Sequence, residues 1–275
     1  MAAPQLITIG NGTRDKGYWA DLWRHREMLF FLAWRDILVR YKQTVVGVSW
    51  VIIRPFLTMM VFTVVFGRIA NLPANGLPYP LLVFTGMLPW FFFSSALAEC
   101  SNSLVGNANL LSKVYFPRLI VPIATILVCA VDYLVSILLL VGMLAWYQHW
   151  PDWRILFLPL FSFFTAMLAF GLGLWAAALN VRYRDFRHLI PFVLQLGIYI
   201  SPVGYATTLI PEKWRPLYWF NPMVGIIDGF RWSVLGQETA VYWPSVGFAL
   251  LFCVGILWSG VWYFRRFEST FADVL

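Results

Sequence analysis

Charge is what this sequence has least of. Only 12% of its 275 residues are charged, while 60% are hydrophobic. A soluble domain carries about 25% charged residues, so a water-soluble fold of this length lacks the polar surface to cover itself. Cysteine is nearly absent too. Cys100, Cys129 and Cys253 stand alone in or beside apolar runs, with no CxxC pair. That argues against a zinc site or a disulfide framework and for small packing residues. There is no GxxxxGK[ST], so the chain does not itself cradle ATP phosphates, and no HExxH or GxSxG. His25, His149 and His188 are far apart and read as solvated or interfacial side chains rather than metal ligands. Residues 1–28 hold charges and no apolar core with a cleavage site, so no signal peptide is expected. Internal repeats and low-complexity tracts are missing as well.

Long apolar runs are what is there. A membrane helix needs ~20 mostly apolar residues to cross a ~30 Å hydrocarbon core. Six segments approach that length, at about 46–67, 79–99, 118–147, 155–179, 189–204 and 244–264. The expected fold is therefore an all-α polytopic membrane protein with six transmembrane helices. With six spans both termini share a side, which receives 14 Lys and Arg against 5 on the other, with Arg54 inside the first span. The bias places both termini in the cytoplasm. The formal charge of +7 fits anionic lipid headgroups and positive loops. It does not suggest nucleic acid, because no basic-aromatic module stands outside the apolar runs.

Residues 1–45 read as a cytoplasmic segment, 46–265 as the membrane domain and 266–275 as a cytoplasmic tail. Within the first of these, 18–44 interleaves Trp19, Trp23, Leu29, Phe30 and Trp34 with Arg35, Arg40, Tyr41 and Lys42. This pattern predicts an amphipathic helix lying at the headgroup level. The fifth apolar segment is short and ends at Pro202. Beyond it, 205–236 is broken by Pro211, Pro216, Asn221-Pro222, Gly225 and Gly229. Short outer helices that dip into the bilayer and return fit this stretch, because Trp214, Tyr218, Trp219, Phe220 and Trp232 are wasted in water.

Ionisable residues inside spans are functional candidates by default. Arg54 and Asp132 differ by only ~9 Å in predicted depth at 1.5 Å per residue. They read either as a pair facing a polar path, or as a structural pair, or as an arginine that snorkels to the interface. Aromatics make up 19% of the chain, with 15 Trp. Some must form interface belts, and ring faces also stack on sugars. The inner loop NVRYRDFRH at 180–188 places Tyr183 and Phe186 three residues apart among Arg182, Arg184, Asp185 and Arg187. On a short helix the two rings share a face, which suits docking to a soluble partner. The loop NLLSKVYFPR at 109–118 has the same character, with Asn109, Lys113, Tyr115 and Phe116.

Five stretches resemble the permease subunits of polysaccharide ABC exporters of the ABC-2 type, in particular those for O-antigen. They are RDILVRYKQTVVGVSWVIIRP at 35–55, SNSLVGNANLLSKVYFPRLIVP at 101–122, LNVRYRDFRHLIPFVLQLGIYISPVGY at 179–205, NPMVGIIDGFRW at 221–232 and FRRFESTFADV at 264–274. The resemblance implies an interfacial N-terminal helix, six spans and short gating helices between spans five and six. It implies a homodimer with two copies of a separate ATPase that binds ATP and Mg, so this chain needs no cofactor of its own. The implied cargo is a polysaccharide on an undecaprenyl diphosphate lipid in the bacterial inner membrane. The loops at 109–117 and 181–188 then dock the ATPase. Arg54, Asp132 and Tyr199 are candidate passage lining, and Trp214, Tyr218, Trp219, Asp228, Arg231 and Trp232 the outer gate. Teichoic acid, capsule, or a small amphipathic drug or lipid is the alternative cargo. A membrane enzyme acting on lipid-linked sugars is the alternative of another class. It requires grouped acids, whereas Glu99, Asp132 and Asp228 fall at inner, middle and outer depths, and Asp228 is expected either to cap a helix or to pair with Arg231 three residues on.

Overall fold

The computed structural model describes residues 17–42, 47–74, 76–183, 185–236, 239 and 241–268. Among them there is no strand. Two short helices open the chain, α1 (Tyr18–Arg24) and α2 (Arg26–Lys42). Helix α3 (Gly47–Phe62) follows and continues as a π-helical turn over Thr63–Ile69. The long helices α4 (Tyr79–Gly106) and α6 (Ile120–Trp146) are joined through the single turn α5 (Ala108–Leu111). After a 3₁₀ turn at Trp153–Phe157 come α7 (Leu158–Arg182), α8 (Phe186–Ile200), α9 (Arg215–Trp219), α10 (Pro222–Leu235) and α11 (Trp243–Phe267).

Among the described residues, five helices are long and apolar enough to cross a membrane: Ser49–Ile69, Tyr79–Gly106, Ile120–Trp146, Trp153–Arg182 and Trp243–Phe267. The chain is a multi-pass membrane protein. The sixth expected span corresponds to α8, whose 15 residues fall short of a crossing by length alone. A four-residue extension offsets part of that shortfall. The Tyr79 hydroxyl, on the first residue of α4, donates to the Gly204 carbonyl at 2.7 Å. By Gly204, 22 residues after α7 ends at Arg182, the chain has thus passed from one end of α4 to the other.

Both described chain ends lie together, because Tyr18 donates to Glu268. We call this end of the bundle proximal and the other distal. Helix α4 is the axis: 78% of its most apolar stretch is buried, against 28–33% for α6, α7 and α11 and 11% for α3. The near-continuous apolar sequence Leu81–Phe93 follows from burial on all sides. Helix α3 and helix α8 instead turn Phe56, Leu57, Val61, Phe192, Val193 and Leu196 outward. Exposed apolar side chains of this kind suit lipid or another membrane surface.

Helices α7 and α11 cross at two glycines. A Cβ on Gly171 would stand 2.8 Å from the Ile256 carbonyl oxygen, and one on Gly260 would strike the Gly171 backbone. Without a hydrophobic force between helices in lipid, close backbone approach supplies the packing. Gly260→Ala is expected to cost about 1–3 kcal/mol, because backbone cannot yield as a side chain can. Gly255→Ala, on the same helix with open space around it, is expected to be neutral or slightly stabilising. Thermal unfolding of the two variants in detergent separates these outcomes.

Candidate functional site

The proximal face holds the two loops singled out by sequence. Asn109, Lys113, Val114 and Tyr115 are exposed, as are Arg182, Tyr183, Asp185 and Arg187. Tyr115 is 81% exposed, too much for a side chain that only packs. Phe116 differs from expectation. It is buried with Leu111, Leu119 and Ile120, so it anchors the loop and presents nothing. Arg184 lies outside the described residues. The Tyr183 and Phe186 rings do meet, 6.4 Å apart, and Arg182 sits over Tyr183 at 5.3 Å. Asn180 fastens the root of this loop to α4, donating to the Ser101 carbonyl at 3.0 Å and the Asn102 side chain at 3.1 Å.

Helix α2 packs chiefly against α6 and reaches α4 through two arginines. Arg35 donates to Asn107 at 3.0 Å, and Arg40 reaches Glu99 at 2.8 Å and Asp132 at 2.5 Å. Along α4 the two contacts are eight residues apart, ~12 Å at 1.5 Å per residue. Arg40 therefore reaches α4 and α6 farther from the proximal end than Arg35 does. Tyr41 adds a hydrogen bond from its hydroxyl to Asp132. Leu32 and Ala33, two turns earlier on the same flank of α2, are buried in the proximal core, while Trp34 remains exposed. A crevice of about 290 Å³ opens beside the cluster, lined by Asp36, Val39, Arg40, Glu99, Thr125 and Val128.

Two expectations change here. Asp132 pairs with Arg40, not with Arg54, which lies over the Phe91 ring at 5.9 Å. Glu99 and Asp132 share one arginine instead of lying at separate depths. The physical reason is the length of α4. It runs to Gly106 rather than stopping near 99, which lifts Glu99 about 10 Å above the helix end at 1.5 Å per residue. The signal was available, since 100–106 is weakly polar yet free of proline. Tyr199 on α8 is 61% exposed and lies parallel to Phe62, 6.4 Å away.

At the distal end α10 is buried almost throughout. Its start is conventional: the Asn221 side chain accepts from the Met223 N–H at 3.0 Å and Pro222 takes the first helical position. Arg231, 2% exposed, donates to the carbonyls of Val203 and Tyr205 at 2.9 Å each and of Leu82 at 3.3 Å. Asp228 accepts from the Thr207 hydroxyl at 2.6 Å. The expected Asp228–Arg231 ion pair is thus replaced by separate bonds from both residues to the segment after α8. Gly86 makes the space: a Cβ there would lie 2.8 Å from the Val203 carbonyl oxygen and strike the Arg231 guanidinium. Trp214 is exposed, Tyr218 shares a hydroxyl bond of 3.0 Å with Tyr205, and Trp219 stacks on Tyr242 at 3.7 Å. Trp232 packs edge-on against Trp243 and Trp153 and carries Arg154 over its ring at 5.3 Å.

No group of three or more His, Cys, Asp or Glu able to hold a metal is present among the described residues. What the arrangement provides is an exposed aromatic-basic face at one end, a charged joint within the bundle and a clamped segment at the other end.

Comparison with known proteins gives this arrangement a setting. Residues 27–235 match the profile of the ABC-2 type transporter family. Over 250 residues the chain is 26% identical to a Klebsiella pneumoniae protein named O-antigen export system permease protein RfbA, covering 90% of this chain and 95% of that one. The Myxococcus xanthus protein of the same name is 26% identical, with 92% and 97% covered. A polysialic acid transport protein KpsM of Escherichia coli is 24% identical, with 86% and 91% covered.

Proposed function

Because the chain belongs to the ABC-2 type transporter family, we propose that it is the membrane subunit of an ATP-driven exporter. Its cargo in this reading is O-antigen-type polysaccharide on undecaprenyl diphosphate. The observation that carries the reading is end-to-end similarity to proteins named for O-antigen export, over nine-tenths of both chains. The absence of a phosphate-cradling motif from the sequence agrees with it. A partner ATPase binds ATP and Mg and docks on the exposed proximal loops, through Asn109, Lys113 and Tyr115 on one and Arg182, Tyr183, Asp185 and Arg187 on the other.

In this reading the proximal end faces the cytoplasm of a bacterial inner membrane, as the lysine and arginine bias requires. Helix α8 counts as a sixth, short crossing, α1 and α2 meet the inner headgroups, and α9 with α10 dips into the outer leaflet. Two copies of the chain enclose the passage. Helices α3 and α8 are the natural walls, being the least buried, and they offer Arg54 and Tyr199. Arg231 fixes α10, so the movable part of the outer gate is 207–220, with Trp214 and Tyr218.

Capsule export is the second reading, favoured by the similarity to a polysialic acid transport protein. Purifying the chain with its cognate ATPase and identifying the bound lipid-linked glycan decides between them. Arg182→Glu together with Arg187→Glu is expected to lower ATPase co-purification at least tenfold, because reversed charge at a docking rim costs about 1–3 kcal/mol. Undiminished capture by the double variant removes the 181–188 loop from the docking surface.

A further inference from the structure

We propose that Glu268 is a positioning residue that holds the docking loop 107–118 rigidly to the ends of α6 and α11, so that movement of the loop is passed to both helices. This rests on the reading of that loop as the ATPase contact.

The geometry is a reciprocal exchange between two helix ends. The Glu268 carboxylate accepts from the Arg118 backbone N–H at 2.8 Å and from the Tyr18 hydroxyl at 3.2 Å, both on Oε1. In return the Arg118 guanidinium donates to the Glu268 backbone carbonyl. Helix α6 begins two residues after Arg118 and has no side-chain cap of its own. The Ile120 and Val121 N–H groups find the Pro117 and Arg118 carbonyls, and a carboxylate beside this helix start is favoured by the helix dipole. Helix α11 ends one residue before Glu268, where a guanidinium on a terminal carbonyl is favoured for the same reason. Each helix end thus receives the charge it lacks from the other.

Helix α1 closes the joint. The Arg265 guanidinium lies over the Tyr18 ring at 4.3 Å and the Trp19 ring at 5.8 Å. Burial raises the Glu268 carboxyl above its ordinary range, against the opposing effect of the Arg118 N–H and the Tyr18 hydroxyl. On the loop side, Phe116 and Leu119 are buried while Lys113, Val114 and Tyr115 point out. The loop is therefore gripped at its root and free at its tip. A push on Tyr115 has no slack to take up before it reaches α6 and α11.

The test uses the full chain in complex with its ATPase, and reads polysaccharide exported per ATP hydrolysed. Glu268→Ala is expected to capture the ATPase in wild-type yield and to lower that ratio at least tenfold. Glu268→Gln keeps a side-chain carbonyl for Arg118 and Tyr18 and is expected to restore most of it. A ratio in Glu268→Ala equal to wild type overturns the assignment. So does a Glu268→Gln variant as defective as the alanine, because then charge and not the hydrogen-bonded joint is what matters. Should Glu268→Ala not assemble, Tyr18→Phe decides. It removes one hydroxyl, and the ratio is expected to fall about threefold, an unchanged ratio counting against the assignment. Failure of the wild-type chain to capture the ATPase overturns the docking reading itself, a result distinct from any of these.

Discussion

Arg231→Met is expected to cost about 3–5 kcal/mol of stability, the range for breaking a buried charged network. The side chain is almost fully enclosed and serves three carbonyls on two segments, α4 and the stretch after α8. Hydrogen bonds to a charged donor are each worth about 1.5–3 kcal/mol, and an acceptor left buried without one adds its own desolvation cost. The Leu82 carbonyl is the weakest of the three, because it is the longest bond. Val203 and Tyr205 lie outside any helix ladder and lose the most. Asp228 is also left buried with its nearest cation gone. A lysine at 231 keeps the charge but not the planar fork that spans separate carbonyls, and is expected to recover only part of the loss. Arg215 is the control. Its 3.4 Å pair with Glu212 is exposed, and Arg215→Ala is expected to change stability by less than about 1 kcal/mol. Apparent melting temperatures in detergent separate the two, with a fall of about 10 °C expected for Arg231→Met and almost none for Arg215→Ala.

Removal of Arg40 is expected to have the second largest effect, on stability and on transport together. Two carboxylates share this guanidinium, so Arg40→Ala leaves Glu99 and Asp132 facing one another without their common cation. A fully buried pair broken in this way loses about 3–5 kcal/mol. Here the Arg40 side chain is 31% exposed and Asp132 21%, so solvent screening reduces the expected loss to about 2–3 kcal/mol. Asp132→Asn is expected to be milder, since the amide oxygen still accepts from Arg40 and the amide NH2 can donate to the Tyr41 hydroxyl. The diagnostic variant is the triple change of Arg40, Glu99 and Asp132 to alanine. Removing all three charges is expected to recover most of the stability lost in Arg40→Ala, because uncompensated charge is what destabilises the single variant. Export is not expected to recover, since α2 still lacks its charged tie to Glu99 and Asp132. A triple variant no more stable than Arg40→Ala contradicts the shared-cation account.

The long helices and the exposed loops were legible in sequence because each rests on local information. An apolar run of sufficient length must span or be buried, and a loop of Arg, Tyr and Phe between two such runs has nowhere to hide. Asn109, Lys113, Tyr115, Arg182, Tyr183, Asp185 and Arg187 are exposed, as such loops require, whereas Phe116 is buried by Leu119 and Ile120 at the start of the following helix. Side-chain partners were less legible because they depend on helix ends and on elements distant in sequence. Depth alone brings Asp132 near Arg54 without fixing its partner, which arrives from α2, a helix whose pattern fits the headgroup level. Arg231 was matched to Asp228 by i, i+3 spacing, yet three carbonyls from other segments outbid a single neighbour. Tyr18, Arg118 and Glu268 carried no local signal at all. They come together only because the start of α1, the start of α6 and the end of α11 meet at one point.

The central claim is that this chain moves lipid-linked polysaccharide in step with ATP hydrolysis by a partner. The most direct measurement reconstitutes the purified chain and its cognate ATPase in proteoliposomes holding the lipid-linked polysaccharide. Glycan that becomes accessible to a membrane-impermeant glycosidase on the opposite face is then followed with and without ATP. The account predicts ATP-dependent exposure of glycan that disappears when the ATPase is omitted. Exposure that proceeds equally without the ATPase, or none in a complex that hydrolyses ATP at full rate, contradicts it.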